Sequence, residues 1–222
     1  MPSEAPDRLL AAPMLFRFAV PCLYCKGPLW GKRVADLGEE YRIASFAELD
    51  DVPSWADLRI GWNEQGLLLR LDVAGKDSAP WCRESRHEDS DGLTVWIDTR
   101  DTQTVHRATR FCNSFCFLPG GTGAKFGEPL ALPLKIHRAK EDAPLVGIQE
   151  LKVASKRTAA GYHLAGFIPA EALHGFDPEE HPRLGFAYLV RDRELGEQTL
   201  SVGSEFPIAS DPSLWSSLEL VR

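Results

Sequence analysis

Between Leu67 and Val73 the chain alternates: Leu67, Leu69, Leu71 and Val73 fall on one side of an extended backbone, Leu68, Arg70 and Asp72 on the other. The first set reads as core. A strand from Asp57 to Trp62 precedes it across Asn63-Glu64-Gln65-Gly66, and the pair reads as a hairpin in which Gly66 supplies a positive φ. The same period returns at Leu93, Val95 and Ile97, with Thr94, Trp96 and Asp98 facing the other way, and a second run spans Phe111 to Leu118 after a polar connection. Further strands are expected over Leu15–Val20, Leu132–Arg138, Val146–Ser155, Gly161–Ile168, Arg183–Val190 and Ser217–Val221. Helical turns are expected at Phe46–Asp50 and, with a proline at its start, at Pro169–His174. Gly75 to Ser90 reads as a polar loop. Gly120 to Gly127 reads as a glycine-rich turn lacking the Gly-Lys-Ser/Thr ending of a phosphate loop. The pattern predicts an all-β chain: an antiparallel β-sandwich of jelly-roll or immunoglobulin-like type with one or two short helical turns, comprising a tail over residues 1–12 and a single domain over 13–222.

Composition narrows the function classes. A hydrophobic content of 44% in 222 residues supports a sizeable core. A formal charge of -7 with a pI near 5.4 argues against a nucleic-acid binder, since neutralising phosphates needs a concentrated cationic surface. The basic run from Arg100 to Arg110 is a local exception and reads as a solvated face. Acidic residues precede a short, interrupted apolar run at the N-terminus, unlike a secretory signal, and no apolar window approaches the roughly 20 residues of a spanning helix. A soluble, cytoplasmic chain without a membrane role is expected. Five cysteines at uneven positions are read as free thiols. Cys22 and Cys25 form a CxxC, and Cys112 with Cys116 would complete a zinc tetrahedron if the fold joined the pairs. The alternative is that all four thiols pack as small hydrophobes.

The order of these segments resembles the family 9 carbohydrate-binding modules and the wider DOMON-like β-sandwiches. The resemblance rests on ADLRIGWNEQGLLLRLDV (56–73), DSDGLTVWIDTRD (89–101), GYHLAGFIPAEALHGFDP (161–178) with LGFAYLVRD (184–192), and DPSLWSSLELV (211–221). It implies a noncatalytic module that recognises a glycan or a similar polar ligand. HRATRFC (106–112) and PWCR (80–83) depart from the family pattern. The resemblance also implies structural calcium, for which Asp72, Asp77, Glu88 and Asp89 supply oxygen donors without a defined set of ligands. No other cofactor is expected.

Sugar recognition needs an aromatic plane against the apolar face of a pyranose ring and fixed donors and acceptors for its hydroxyls. Trp81, Arg83, Trp96, His106, Arg107, Arg110 and Asn113 are the candidates, placed on the focal strand and its two flanking loops. Trp81 either plugs the end of the sandwich or offers a stacking surface. Trp96 lies on an open outer face or beneath a loop such as 75–90. Trp62 and Trp215 are expected in the core. HRATRFC is either a site or a network in which arginines tie loops together. Two enzymatic patterns are weaker: a carboxylate pair among Asp89, Asp91, Asp98 and Asp101, and a thiol nucleophile from Cys112 with His106. The alternative function is an intracellular protein-interaction or scaffold domain, its arginine-rich connection contacting an acidic partner.

Overall fold

The computed structural model describes residues 16–222, so the expected tail and the first residue of the expected Leu15–Val20 strand lie outside the described residues. The strands are β1 (Ala19–Tyr24), β2 (Ala56–Asn63), β3 (Gly66–Ala74), β4 (Gly92–Asp98), β5 (Cys112–Thr122), β6 (Glu128–Leu134), β7 (Lys152–Thr158), β8 (Gly161–Pro169), β9 (Arg183–Asp192), β10 (Gly196–Thr199) and β11 (Ser216–Val221). They form one path in the order β6-β5-β4-β9-β11-β1-β2-β3-β8-β7, with β10 on β9. The path doubles over, so that Phe117 of β5 lies against Gly166 of β8, where an added Cβ would meet the Phe117 ring at 2.7 Å. Ser155 Oγ of β7 donates to the Pro119 carbonyl of β5 at 2.7 Å. The result is an all-β sandwich. It is antiparallel except at β1, which runs parallel to both β11 and β2.

The inner faces follow the alternation of the sequence. Leu67, Leu69, Leu71 and Val73 oppose Ile168, Gly166, Leu164 and Tyr162 across the β3–β8 register, while Leu93, Val95 and Ile97 oppose Val190, Tyr188 and Phe186 on β9. These side chains, together with Trp62, make one core. The β2–β3 hairpin turns through Glu64 and Gln65. Gly66 holds φ 133°, and a Cβ there would approach the Ile168 carbonyl to 2.1 Å, so no other residue fits without shifting β8.

Three smaller clusters lie outside this core, one of them gathering Cys82 against Cys116 and Leu118 of β5. Residues 25–37 fold over β3, packing Leu29 and Leu37 on Leu68. Trp96 of β4, with Ala187 and Leu189 of β9, packs under Ala108, Ile136, Val202, Ile208 and Trp215. Of the two expected positions for Trp96 the covered one is observed, but the cover assigned to residues 75–90 is corrected: the β4–β5 connection through Ala108, Ile136 after β6 and the segment between β10 and β11 cover the indole instead. Other elements shift. The expected strand at Val146–Ser155 begins at Lys152, after a short turn at Ile148–Glu150, and β5 runs through Pro119 to Thr122, with its register against β6 interrupted between Leu118 and Thr122.

Phe117 is fully buried where the two layers meet. Phe117→Ala is expected to lower the unfolding free energy by about 3–5 kcal/mol. Urea denaturation measures this, and a loss below about 1 kcal/mol would show that the layers do not close on this side chain.

Candidate functional site

Strand β4 separates the candidate residues into two groups. Asp91 adjoins its start and Asp98 is its last residue, so the groups stand at opposite ends of a seven-residue strand. Trp81 and Arg83 belong to the first end; His106, Arg107, Arg110 and Asn113 belong to the second. The candidates on the two flanking loops therefore do not share one surface, because the connection between β4 and β5 closes the far end of the strand while the 75–90 loop feeds the near end.

The near end is built on a buried ion cluster. Lys76 Nζ lies 2.5 Å from Asp192 Oδ2 and 3.2 Å from Asp91 Oδ2, all three side chains being almost wholly buried. Burial pulls the ammonium pKa down, but hydrogen bonds and charge from Asp192 and Asp91 outweigh it and leave it above the ordinary lysine value. Asp91 accepts from the Trp81 N–H at 3.0 Å and from the Arg193 N–H at 2.9 Å, while Asp192 accepts from Glu194 and Leu195 at 2.9 and 3.1 Å. The two segments that carry Trp81 and Arg193 are thereby fixed next to each other.

Above this base the Trp81 ring is partly exposed. Arg193 Cζ sits 3.5 Å from its centroid, Arg83 Cζ 5.2 Å and Arg86 Cζ 5.4 Å. Arg83 also stacks on Phe126 at 3.8 Å; Phe126 is half-exposed and holds φ 56°, a left-handed conformation unusual for a bulky residue. Arg86 pairs with Asp89 at 2.5 Å. The arrangement presents an aromatic plane with several guanidinium N–H groups around it. Arg86, Arg193, Phe126 and Lys76 were not legible as site residues: Arg193 and Phe126 reach Trp81 and Arg83 from distant positions, and Lys76 sits in a polar stretch that reads as solvated.

At the far end the arginines hold backbone. Arg107 donates to the Arg138 and Ala139 carbonyls at 3.0 and 3.3 Å, and Arg100 to the Gly175 carbonyl at 2.6 Å. Asp98 accepts from the Arg100 and Thr102 N–H groups at 3.0 and 2.8 Å. Arg110 is exposed and stacks on Phe111 at 5.1 Å. Asn113 is buried, donates to the Phe111 carbonyl at 3.1 Å and lines a cavity of about 220 Å³. Within HRATRFC, Arg107 ties the segment to backbone carbonyls as the network reading expects, while Arg110 lies exposed against the Phe111 ring.

Nucleophile patterns do not assemble. His106 Nδ1 contacts both Asp211 Oδ2 and Ser213 Oγ at 3.1 Å, so serine and aspartate share one ring nitrogen instead of flanking the ring as a relay requires. Cys112 contacts Thr109, and burial lifts its thiol to about 11, far from a thiolate. Asp91 and Asp98 stand at opposite ends of β4 and make no hydrolytic pair. The five cysteines are free, and those of the expected zinc set are dispersed: Cys22 in the main core, Cys25 with Leu29, Leu37 and Leu68, Cys112 beside Trp96, and Cys116 with Cys82 on the outer side of β5. Among the described residues no three His, Cys, Asp or Glu side chains gather as metal ligands, and two of the four donors named for calcium are engaged elsewhere, Asp72 by Arg70 and His163 and Asp89 by Arg86.

No family model matches the sequence, and no curated protein does. The fold is shared with solved structures. A family 9 carbohydrate-binding module from Caldicellulosiruptor kristjanssonii in complex with cellotriose superposes at a TM-score of 0.61 and 12% identity, covering 92% of this chain and 94% of that chain. A family 9 module from the same organism in complex with glucose gives 0.61 and 13%, covering 91% and 95%. The chain has the fold of family 9 carbohydrate-binding modules.

Two outcomes follow from the near end. Lys76→Met leaves two buried carboxylates facing each other and is expected to cost about 3–5 kcal/mol in urea unfolding; a loss under about 1 kcal/mol would show that the ion cluster does not anchor this end. Glu194 accepts from the Asp77 and Ser78 N–H groups and the Ser78 hydroxyl, which lower its pKa from 4.5 to about 2. A carboxyl with a depressed folded pKa contributes stability that is complete above the unfolded value and is lost as pH falls through the folded one. The melting temperature of wild type should therefore fall more steeply from pH 4.5 to 2 than that of Glu194→Gln; parallel curves would remove Glu194 from the account.

Proposed function

We propose that this chain is a noncatalytic carbohydrate-binding module that takes a glycan, or a similar polar ligand, at the Trp81 corner. The observation that carries the reading is the partly exposed indole ringed by the guanidinium groups of Arg83, Arg86 and Arg193. It stands at one end of a fold that, in the two solved neighbours, accompanies bound cellotriose and bound glucose. An indole face offers apolar area to the C–H side of a pyranose, and guanidinium groups offer fixed donors to hydroxyl or carboxylate oxygens. Glycan stacking would replace Arg193 over the ring, and the released guanidinium would join Arg83 and Arg86 around the sugar. Trp96 takes no part, being covered, and His106, Arg107 and Arg110 lie at the other end of β4. The alternative of an acidic protein partner on the arginine-rich connection draws little from the geometry, because Arg100 and Arg107 are held by the chain's own carbonyls.

A glycan array identifies the ligand, and calorimetry on variants locates it. Trp81→Ala is expected to weaken binding by about tenfold or more, while Arg110→Ala leaves it unchanged. An array without any bound glycan, or a Trp81→Ala protein that binds as tightly as wild type, would sink the proposal.

A further inference from the structure

The Trp81 corner carries two cations that the fold does not neutralise. Arg59, Arg70, Arg86, Arg191 and Arg222 each pair with a carboxylate. Among the described residues Arg83 and Arg193 have no such partner, and what they touch instead is rings and backbone carbonyls. Arg83 lies over Trp81 and Phe126 and donates from Nη1 to the Cys82 carbonyl at 2.7 Å. Arg193 lies over Trp81 and donates from Nε to the Asp89 carbonyl at 3.4 Å.

Carboxylates are not scarce nearby, but the fold directs them elsewhere. Asp89 pairs with Arg86 at 2.5 Å, and Glu194 accepts from the Asp77 and Ser78 N–H groups at 2.7 and 3.1 Å. Glu84 and Glu88 are exposed and pair with neither arginine. A guanidinium has five N–H donors in a planar fork, and each of these two spends one on a carbonyl. Both terminal nitrogens of Arg193 and the Nη2 group of Arg83 remain for a ligand.

We infer that the sugar taken at the Trp81 corner is anionic, its C–H face on the indole and its carboxylate or sulfate ester held by the guanidinium groups of Arg193 and Arg83. The inference rests on the carbohydrate reading above and narrows its ligand class. A sugar that stacks on the indole must move Arg193 off the ring and forfeit the cation–π contact. A neutral sugar repays this with hydroxyl hydrogen bonds alone. An anionic one gives the displaced guanidinium a charge-assisted, two-pronged partner, with bonds roughly twice as strong as neutral ones.

The probes are trigalacturonate against its methyl ester, and a sulfated galactotriose against the unsulfated form, measured by calorimetry on the full chain. At least one anionic member should bind about tenfold tighter than its neutral counterpart at low salt, an advantage that shrinks severalfold at about 500 mM NaCl. Which member shows it separates carboxylate from sulfate. Arg193→Gln should cut the anionic-to-neutral ratio to about threefold, and Arg83→Gln combined with Arg193→Gln to about one. The Arg193 N–H that Asp91 accepts belongs to the backbone and survives both changes. Arg110→Gln, exposed at the far end, should leave the ratio unchanged, which sets aside general attraction to a cationic surface. A purely structural role for Arg83 and Arg193 would lower both affinities together and keep the ratio. A preference that survives the double variant, equal or tighter binding of the neutral member in both pairs, or recognition of neutral glycans only would overturn the inference and leave the carbohydrate reading standing. A chain that binds no sugar on a glycan array removes both.

Discussion

A single ammonium holds one end of this sandwich in shape. Lys76 lies between Asp91 and Asp192, and those carboxylates fix, through backbone N–H groups, the segments bearing Trp81 and Arg193. Two carboxylates and one ammonium leave an excess negative charge in a place water does not reach. The excess is tolerable because Trp81, Arg193, Glu194 and Leu195 all donate to it. The same bonds that disperse the charge place the guanidinium of Arg193 over the indole. Electrostatics inside the fold therefore sets the geometry of the aromatic surface outside it.

How much of this could be read from residue order depends on whether a partner is local. Leu67, Leu69, Leu71 and Val73 announced their strand and their face, because alternation is a property of neighbouring residues. Trp96 was correctly placed opposite Leu93, Val95 and Ile97. Whether that opposite face was wet could not be read, since its cover comes from Ala108, Ile136, Val202 and Ile208, which meet only once the chain has folded. Strand β10 carries Gly-Glu-Gln-Thr with no apolar alternation and exists because β9 offers it an edge. Pro119 looked like a stop, yet β5 passes through it at a break in the β6 register, where a missing N–H matters little. Lys76 carries no local mark at all: its role depends on Asp192, far along the chain.

The two ends of β4 thus divide the labour. One end displays side chains held by buried charge, and the other uses arginines to hold its own backbone, with a cavity beside it where β6 stops short of β5. In the arginine-rich segment Arg100 and Arg107 turn guanidinium donors onto backbone carbonyls, so part of a locally basic run serves the fold of an acidic protein.

Strand β11 has a position that shapes how the chain reaches this state. It lies between β9 and β1, in the middle of the strand order, with four strands of the path beyond each of the β11–β1 pair. Among the described strands it comes last in sequence. Until it inserts, the two wings of the sheet have no backbone ladder between them, and β1 waits beside an unfilled slot. Completion of the sheet is therefore a long-range event: β11 joins the two wings from a position far along the chain from β1, and exposed strand edges must be kept apart until it inserts.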